Sequence, residues 1–99
     1  MKRVVYGEKD LESKLFKAVK QMGCFALKFQ SYYQVKFPDR FIFCPNGVAC
    51  FAEIKTTGKK PDTAQMARIE DLRKMGFTVF IIDDLKTLND AITHIRQLT

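Results

Sequence analysis

Residues 37–55, FPDRFIFCPNGVACFAEIK, constrain this chain more than any other stretch. Two short apolar runs flank Cys44-Pro45-Asn46-Gly47-Val48, and Pro, Asn and Gly between such runs spell a hairpin. The spacing predicts a three-residue loop: a type I turn followed by a left-handed residue, with Pro45 at the first turn position and Gly47 taking the positive φ. Cys44 then faces Val48, and every further pair is placed symmetrically about Asn46. Asp39 and Glu53 are equidistant from Asn46, so they become direct neighbours across the strands, with Cβ atoms roughly 4.5–5.5 Å apart. A two-residue turn would shift this register by one. Like charges set opposite each other destabilise a sheet unless a cation stands between them. Lys55 lies on the same side of its strand as Glu53, while Ile54 points to the other face.

The rest of the chain supplies elements to pack on this hairpin. Leu11, Leu15, Val19 and Met22 recur at helical spacing within residues 8–22, and Gly23 ends the pattern. Residues 24–30 form a strand candidate. The hairpin strands fall at about 40–44 and 48–55. Residues 61–75 read as a second amphipathic helix, begun by Pro61 and ended by Gly76. Residues 77–83, FTVFIID, are the continuous apolar run of a buried strand. Leu85, Leu88, Ile92, Ile95 and Leu98 share one face of a closing helix. The expected fold is α/β, in the order α-β-β-β-α-β-α: a mixed four-stranded sheet flanked by helices, in a single domain over residues 1–99.

At 46% hydrophobic with nine Phe, 99 residues can bury a core without disulfide or metal staples. Cys24, Cys44 and Cys50 form no CxxC pair and read as reduced, buried small hydrophobes rather than zinc ligands. No apolar run approaches the roughly 18 residues of a membrane span. The N-terminus turns charged where a secretory signal needs its apolar segment, so a cytoplasmic location is expected. A net charge of +6, with a pI near 9.4, favours a polyanionic partner, although charge alone equally serves solubility.

Two carboxylates with a lysine beside them suit a divalent cation. Mg²⁺ takes hard oxygen ligands, usually one or two carboxylates completed by water and substrate phosphate. A Lys–acid bridge at a sheet edge would use the same residues for structure alone. Two further residues depart from the apolar pattern. The arc of the first helix that carries Leu15 and Val19 also carries Glu8 and Glu12, and a core-facing carboxylate is costly unless it meets a cation or donors. Glu8 has the alternative of a helix start, where acids suit the macrodipole. Gln65 lies with Ile69 and Leu72 on the apolar face of the second helix, either as a satisfied core amide or as part of a site. Convergence of Glu12, Asp39, Glu53, Lys55 and Gln65 on one sheet face is the better reading.

Pro38-Asp39 followed by Glu53-Ile54-Lys55 resembles the PD-(D/E)xK nuclease signature. Gly58-Lys59-Lys60-Pro61, Gln65 and the element order make the chain similar to the VRR-NUC (virus-type replication-repair nuclease) family, in its small stand-alone phage or bacterial form. The resemblance covers residues 8–83 and implies a restriction-endonuclease-like core. It implies that Asp39 and Glu53 bind Mg²⁺ or Mn²⁺ with the main-chain carbonyl of Ile54, that Lys55 is the catalytic lysine, and that Gln65 holds the lysine or the water. Glu12, with Glu8 as the fallback, would be the first-helix acid completing the metal shell. Stand-alone members are similar to Holliday-junction resolvases, which implies a homodimer that nicks branched or four-way DNA in pairs. The family's usual Gly two residues before the Pro is here Lys36, which bears on substrate preference more than on chemistry.

Lys28, Lys36, Arg40, Lys59 and Lys60 flank the site and are expected to contact DNA phosphates, without reading sequence. Tyr32 and Tyr33 would stack on an unpaired base or pack in a dimer interface. Phe37, Phe41, Phe43 and Phe51 exceed the evident needs of one thin sheet face and are candidates for a twofold interface. The competing readings are a general nickase, flap or RNA nuclease of the same fold, and a catalytically weak nucleic-acid-binding subunit.

Overall fold

The computed structural model describes residues 4–29 and 36–99. Tyr32 and Tyr33 lie outside the described residues. The elements are α1 (Glu8–Gln21), β1 (Phe25–Lys28), β2 (Arg40–Phe43), β3 (Ala49–Ile54), α2 (Thr63–Lys74), β4 (Thr78–Ile82) and α3 (Leu85–Leu98). They form a mixed four-stranded sheet with spatial order β1-β2-β3-β4. β1, β2 and β3 run antiparallel, and α2 carries the crossover that sets β4 parallel to β3.

The hairpin register is the one read from the sequence: Arg40 pairs with Ala52, Phe41 with Phe51, Ile42 with Cys50 and Phe43 with Ala49. The turn differs in detail. Pro45–Gly47 is a short 3-10 segment in which Asn46 (φ 68°) as well as Gly47 (φ 75°) is left-handed. Asn tolerates that region because its short polar side chain bonds locally. The Cys44 amide donates to the Val48 carbonyl at 2.7 Å and closes the loop.

α2 begins at Thr63 rather than at Pro61, because Asp62 is its cap. The Asp62 carboxylate accepts from the Gln65 amide at 2.8 Å, and the Gln65 side chain accepts from the Asp62 amide at 2.9 Å. This reciprocal box satisfies two N–H groups that the first turn would otherwise leave open. Gly23 and Gly76 follow α1 and α2 with φ of 83° and 97°, a reversal that a side chain would strain.

The two sheet faces are covered unequally. On one, Leu11, Leu15 and Val19 of α1 and Leu88, Ala91 and Ile95 of α3 pack on Ile42, Cys50, Ala52, Ile54 and Ile82. Each such aliphatic side chain gains about 1.5–3 kcal/mol on full burial. On the other, α2 supplies Ile69 and Leu72 against Val79, with Phe51, Met66 and Ile81 around them. This cover stops short of β1 and β2, where Phe25, Leu27, Phe29 and Phe43 remain 76%, 54%, 55% and 44% exposed. Phe29 stacks on Phe41 with centroids 5.3 Å apart, and Phe41 meets both Phe43 and Phe51 edge-on. Phe41 and Phe51 are thus partly covered within an aromatic ladder. Cys24, Cys44 and Cys50 are free and buried, as their spacing implied. Among the described residues no helix is long and apolar enough to cross a membrane.

Candidate active site

Strand geometry brings the sequence-predicted acids to one end of the β2–β3 hairpin. The ladder pair nearest them is Arg40 with Ala52; Asp39 and Glu53 occupy the next position in the same register, with Asp39 one residue before the start of β2. The Phe29 amide donates to the Asp39 carbonyl at 2.6 Å and holds that residue against β1. On the far side, the Lys55 amide donates to the Ile82 carbonyl at 2.9 Å, so β3 stays tied to β4 past its last ladder pair. Both halves of the candidate site therefore stand on sheet backbone, which positions side chains more closely than a free loop would.

Glu53 is buried, with only 4% of its surface exposed. Its Oε1 lies 3.5 Å from Lys55 Nζ and accepts from Gln65 Nε2 at 3.4 Å. Glu53, Lys55 and Gln65 are thereby one cluster, as the spacing foretold, and Gln65 reaches it while its other amide atom caps α2. Burial raises the Glu53 pKa, the neighbouring Asp39 charge adds to that rise, and the Lys55 ammonium offsets it in part. A desolvated carboxylate beside another carboxylate is short of positive charge.

The second cluster surrounds Arg40. Its guanidinium donates from Nε to Glu12 at 3.2 Å, from one terminal nitrogen to Asp39 at 2.5 Å and from the other to Glu8 at 3.1 Å. Glu8 and Glu12 extend the buried stripe of Leu11, Leu15 and Val19, so the acids on the core-facing arc of α1 find their cation in the sheet. Arg40 therefore departs from its expected role. It is not a surface contact for DNA, because its side chain is 2% exposed and its donors are turned on three carboxylates. Burial alone would lower its pKa, but the bonds from Asp39, Glu8 and Glu12 outweigh that and raise it. The alternation along β2 carried the signal: Arg40 shares a side with the buried Ile42.

The other basic candidates are placed as follows. Lys28, Lys36, Lys59 and Lys60 are exposed. Lys36 Nζ lies 3.5 Å from Asp62 at the start of α2, and Arg68 of α2 sits over the Phe37 ring at 5.4 Å. The segment before Pro38 is thus clasped to α2. Lys60 Nζ lies 3.1 Å from the buried carboxylate of Asp83. Asp62 and Asp83 were not singled out in the sequence. Asp62 was legible as the first residue of an Asp-x-x-Gln box, whereas Asp83 carries no local signal.

Among the described residues no three His, Cys, Asp or Glu side chains are grouped as a closed cation site. Three of the four acids share the Arg40 guanidinium instead. The donor set nonetheless fits a hard divalent ion. Asp39 and Glu53 offer carboxylate oxygens on neighbouring positions across the hairpin, the hard ligands such an ion takes.

Known proteins match the chain nearly end to end. No model of a protein family matches it. A phage protein described as "Putative nuclease p44", from Acyrthosiphon pisum secondary endosymbiont phage 1, is 33% identical over 87 residues, 86% of this chain and 94% of that protein. A solved structure described as "VRR_NUC domain" superposes with a TM-score of 0.81 at 27% identity, covering 88% of this chain and 95% of that one.

Proposed function

Because the chain belongs to the VRR-NUC family of nucleases, we propose that it is a divalent-metal-dependent DNA endonuclease whose preferred substrate is a four-way junction. The observation that carries the reading is the buried Glu53 carboxylate, set beside Asp39 and touched by Lys55 and Gln65. A structural bridge at a sheet edge gives no reason to bury a carboxylate beside a second one. Asp39, Glu53 and the main-chain carbonyl of Ile54 would hold Mg²⁺ or Mn²⁺, with Glu12, or failing it Glu8, as the acid from α1. A bound divalent ion supplies Lewis-acid charge to the scissile phosphate and lowers the pKa of water near it.

Lys55 does the rest of the electrostatic work. Its ammonium, 22% exposed beside Glu53, would meet the incoming phosphate. There it orients the attacking water or neutralises charge growing on the phosphorus oxygens. Gln65 keeps Glu53 oriented. The reaction is hydrolysis: a P–O bond to water forms as a P–O bond to one sugar breaks, leaving one phosphate-ended and one hydroxyl-ended strand. Lys28, Lys36, Lys59 and Lys60 hold the backbone by charge, so binding weakens steeply with salt.

A homodimer is part of the proposal. The half of the sheet that α2 leaves uncovered presents Phe25, Leu27, Phe29 and Phe43, an exposed apolar patch that a second copy could cover. Two copies joined there would carry two sites, which paired nicking requires. The test is cleavage of a labelled four-way junction beside matched linear duplex, single strand and RNA, each in Mg²⁺, Mn²⁺ and EDTA. Paired, metal-dependent nicks on the junction are expected. Equal cutting of every substrate would keep the nuclease and discard the junction preference. Tight binding without cutting would leave a nucleic-acid-binding subunit.

A further inference from the structure

We infer that Arg40 is the positioning residue of this centre: its guanidinium stays on Glu8, Glu12 and Asp39 while a divalent cation is held, and fixes these acids for the ion. The inference rests on the divalent-cation reading above and concerns which groups prepare the site for the ion. Three carboxylates from two elements meet one side chain, each on a different nitrogen. The planar five-donor fork of arginine serves the three partners from separate nitrogens in a fixed geometry; an ammonium, with its donors on one atom, would act as a point charge without fixing their planes.

Arg40 has no route out of this arrangement. Its backbone is paired on both sides, with Lys28 of β1 and Ala52 of β3. Its side chain is 2% exposed and lies beneath the acids of α1. Withdrawal would leave a buried charge unpaired or three carboxylates without their cation, and both are costly. Charge balance makes withdrawal unnecessary. Glu8, Glu12, Asp39 and Glu53 carry four negative charges against the positive charges of Arg40 and Lys55, and the two that remain match one divalent ion. The bond to Arg40 uses Oδ1 of Asp39 and leaves Oδ2 for that ion.

The alternative is that Arg40 only fills the place of a cation and is expelled when one arrives. NMR of the arginine side-chain Nε–H groups separates the two. A ¹⁵N-labelled sample titrated with Mg²⁺ reports cation uptake through the backbone amides of Asp39 and Glu53. It reports the clamp through the Nε–H of Arg40. The expected result is movement of both amides while the Arg40 Nε–H stays a resolved, slowly exchanging signal; Glu12→Gln alone should bring it into fast exchange with water. Loss of the Arg40 signal on Mg²⁺ saturation, with the amides moving, would overturn the inference and keep the cation site. No movement of these amides with Mg²⁺, together with no paramagnetic broadening of them by Mn²⁺, would overturn the cation reading, and the inference with it.

A second measurement asks whether the fork matters beyond its charge. In Arg40→Lys, confirmed folded by circular dichroism, calorimetric Mn²⁺ affinity without DNA should fall by about tenfold or more, as for other groups that orient metal ligands. Unchanged Mn²⁺ affinity in the folded variant would overturn the positioning role. If that variant does not fold, the Nε–H signal of the unmodified protein still decides between clamp and placeholder.

Discussion

Glu53→Gln should reverse sign with the cation present. In the metal-free protein Glu53 is a buried charge facing Asp39, with one lysine at 3.5 Å as its ionic partner. Holding a buried ion costs the fold several kcal/mol of desolvation, which the partly exposed Lys55 offsets only in part, so a neutral group of similar shape removes a net cost. Gln conserves the volume and can still accept from Gln65 Nε2. Against the gain stands the lost pairing with Lys55, which is 22% exposed and regains water; that loss costs about 0–1 kcal/mol. The balance is a stabilisation on the order of 1 kcal/mol, or about 4–8 °C in Tm for a domain of this size. With divalent ion at a hundred times its Kd, a protein that binds it gains about 2.7 kcal/mol. The unsubstituted protein takes that gain, and the variant does not. Thermal melts in EDTA and in saturating Mn²⁺ should therefore rank the two proteins in opposite orders. A variant that is less stable in EDTA, or that gains as much from Mn²⁺ as the parent, would refute the reasoning.

Three other outcomes follow from particular contacts. Asp62→Ala removes the capping box of α2 and should lower stability by about 0.5–2 kcal/mol, read as a shift in urea midpoint without a change of slope. Leu27→Glu with Phe43→Glu places charge on the uncovered sheet face and should break the proposed dimer to monomer in light scattering, with the far-UV spectrum unchanged. The Cys24 and Cys50 thiols are pushed up to about 11 by burial from an ordinary 9.0. Folded-state pKa values above the unfolded ones stabilise fully below pH 9, and that contribution is lost as pH rises toward 11. Urea unfolding across that window should show stability falling, less steeply in a Cys24→Ala, Cys50→Ala variant.

The hairpin was legible because three signals agree on it: turn residues at fixed offsets, apolar runs of matching length, and a symmetric register that the ladder follows residue for residue. Glu53, Lys55 and Gln65 came together for a similar reason, since the side of a strand and the face of a helix are both periodic. Arg40 was misread because proximity in sequence to Asp39 and Lys36 suggested a basic rim. Its partners Glu8 and Glu12 lie 32 and 28 residues away, and only the docking of α1 on the sheet brings them near. The start of α2 was displaced by a similar conflict. Pro61 favours a helix start, but the reciprocal bonds of Asp62 and Gln65 fix the cap one residue later. The extent of the aromatic face depends on how far α2 reaches across the sheet, which spacing along the chain does not specify.

Single-turnover cleavage of labelled DNA by the parent protein and by Lys55→Ala asks whether Glu53, Asp39 and Lys55 form a hydrolytic centre. Cutting is expected in Mg²⁺ or Mn²⁺ and should be abolished by EDTA. The rate should fall by about 10²–10³-fold in Lys55→Ala, a loss typical for removal of one group that stabilises transition-state charge, while DNA binding holds. Cleavage that persists in EDTA, or a Lys55→Ala variant that cuts at the parent rate, would contradict such a centre.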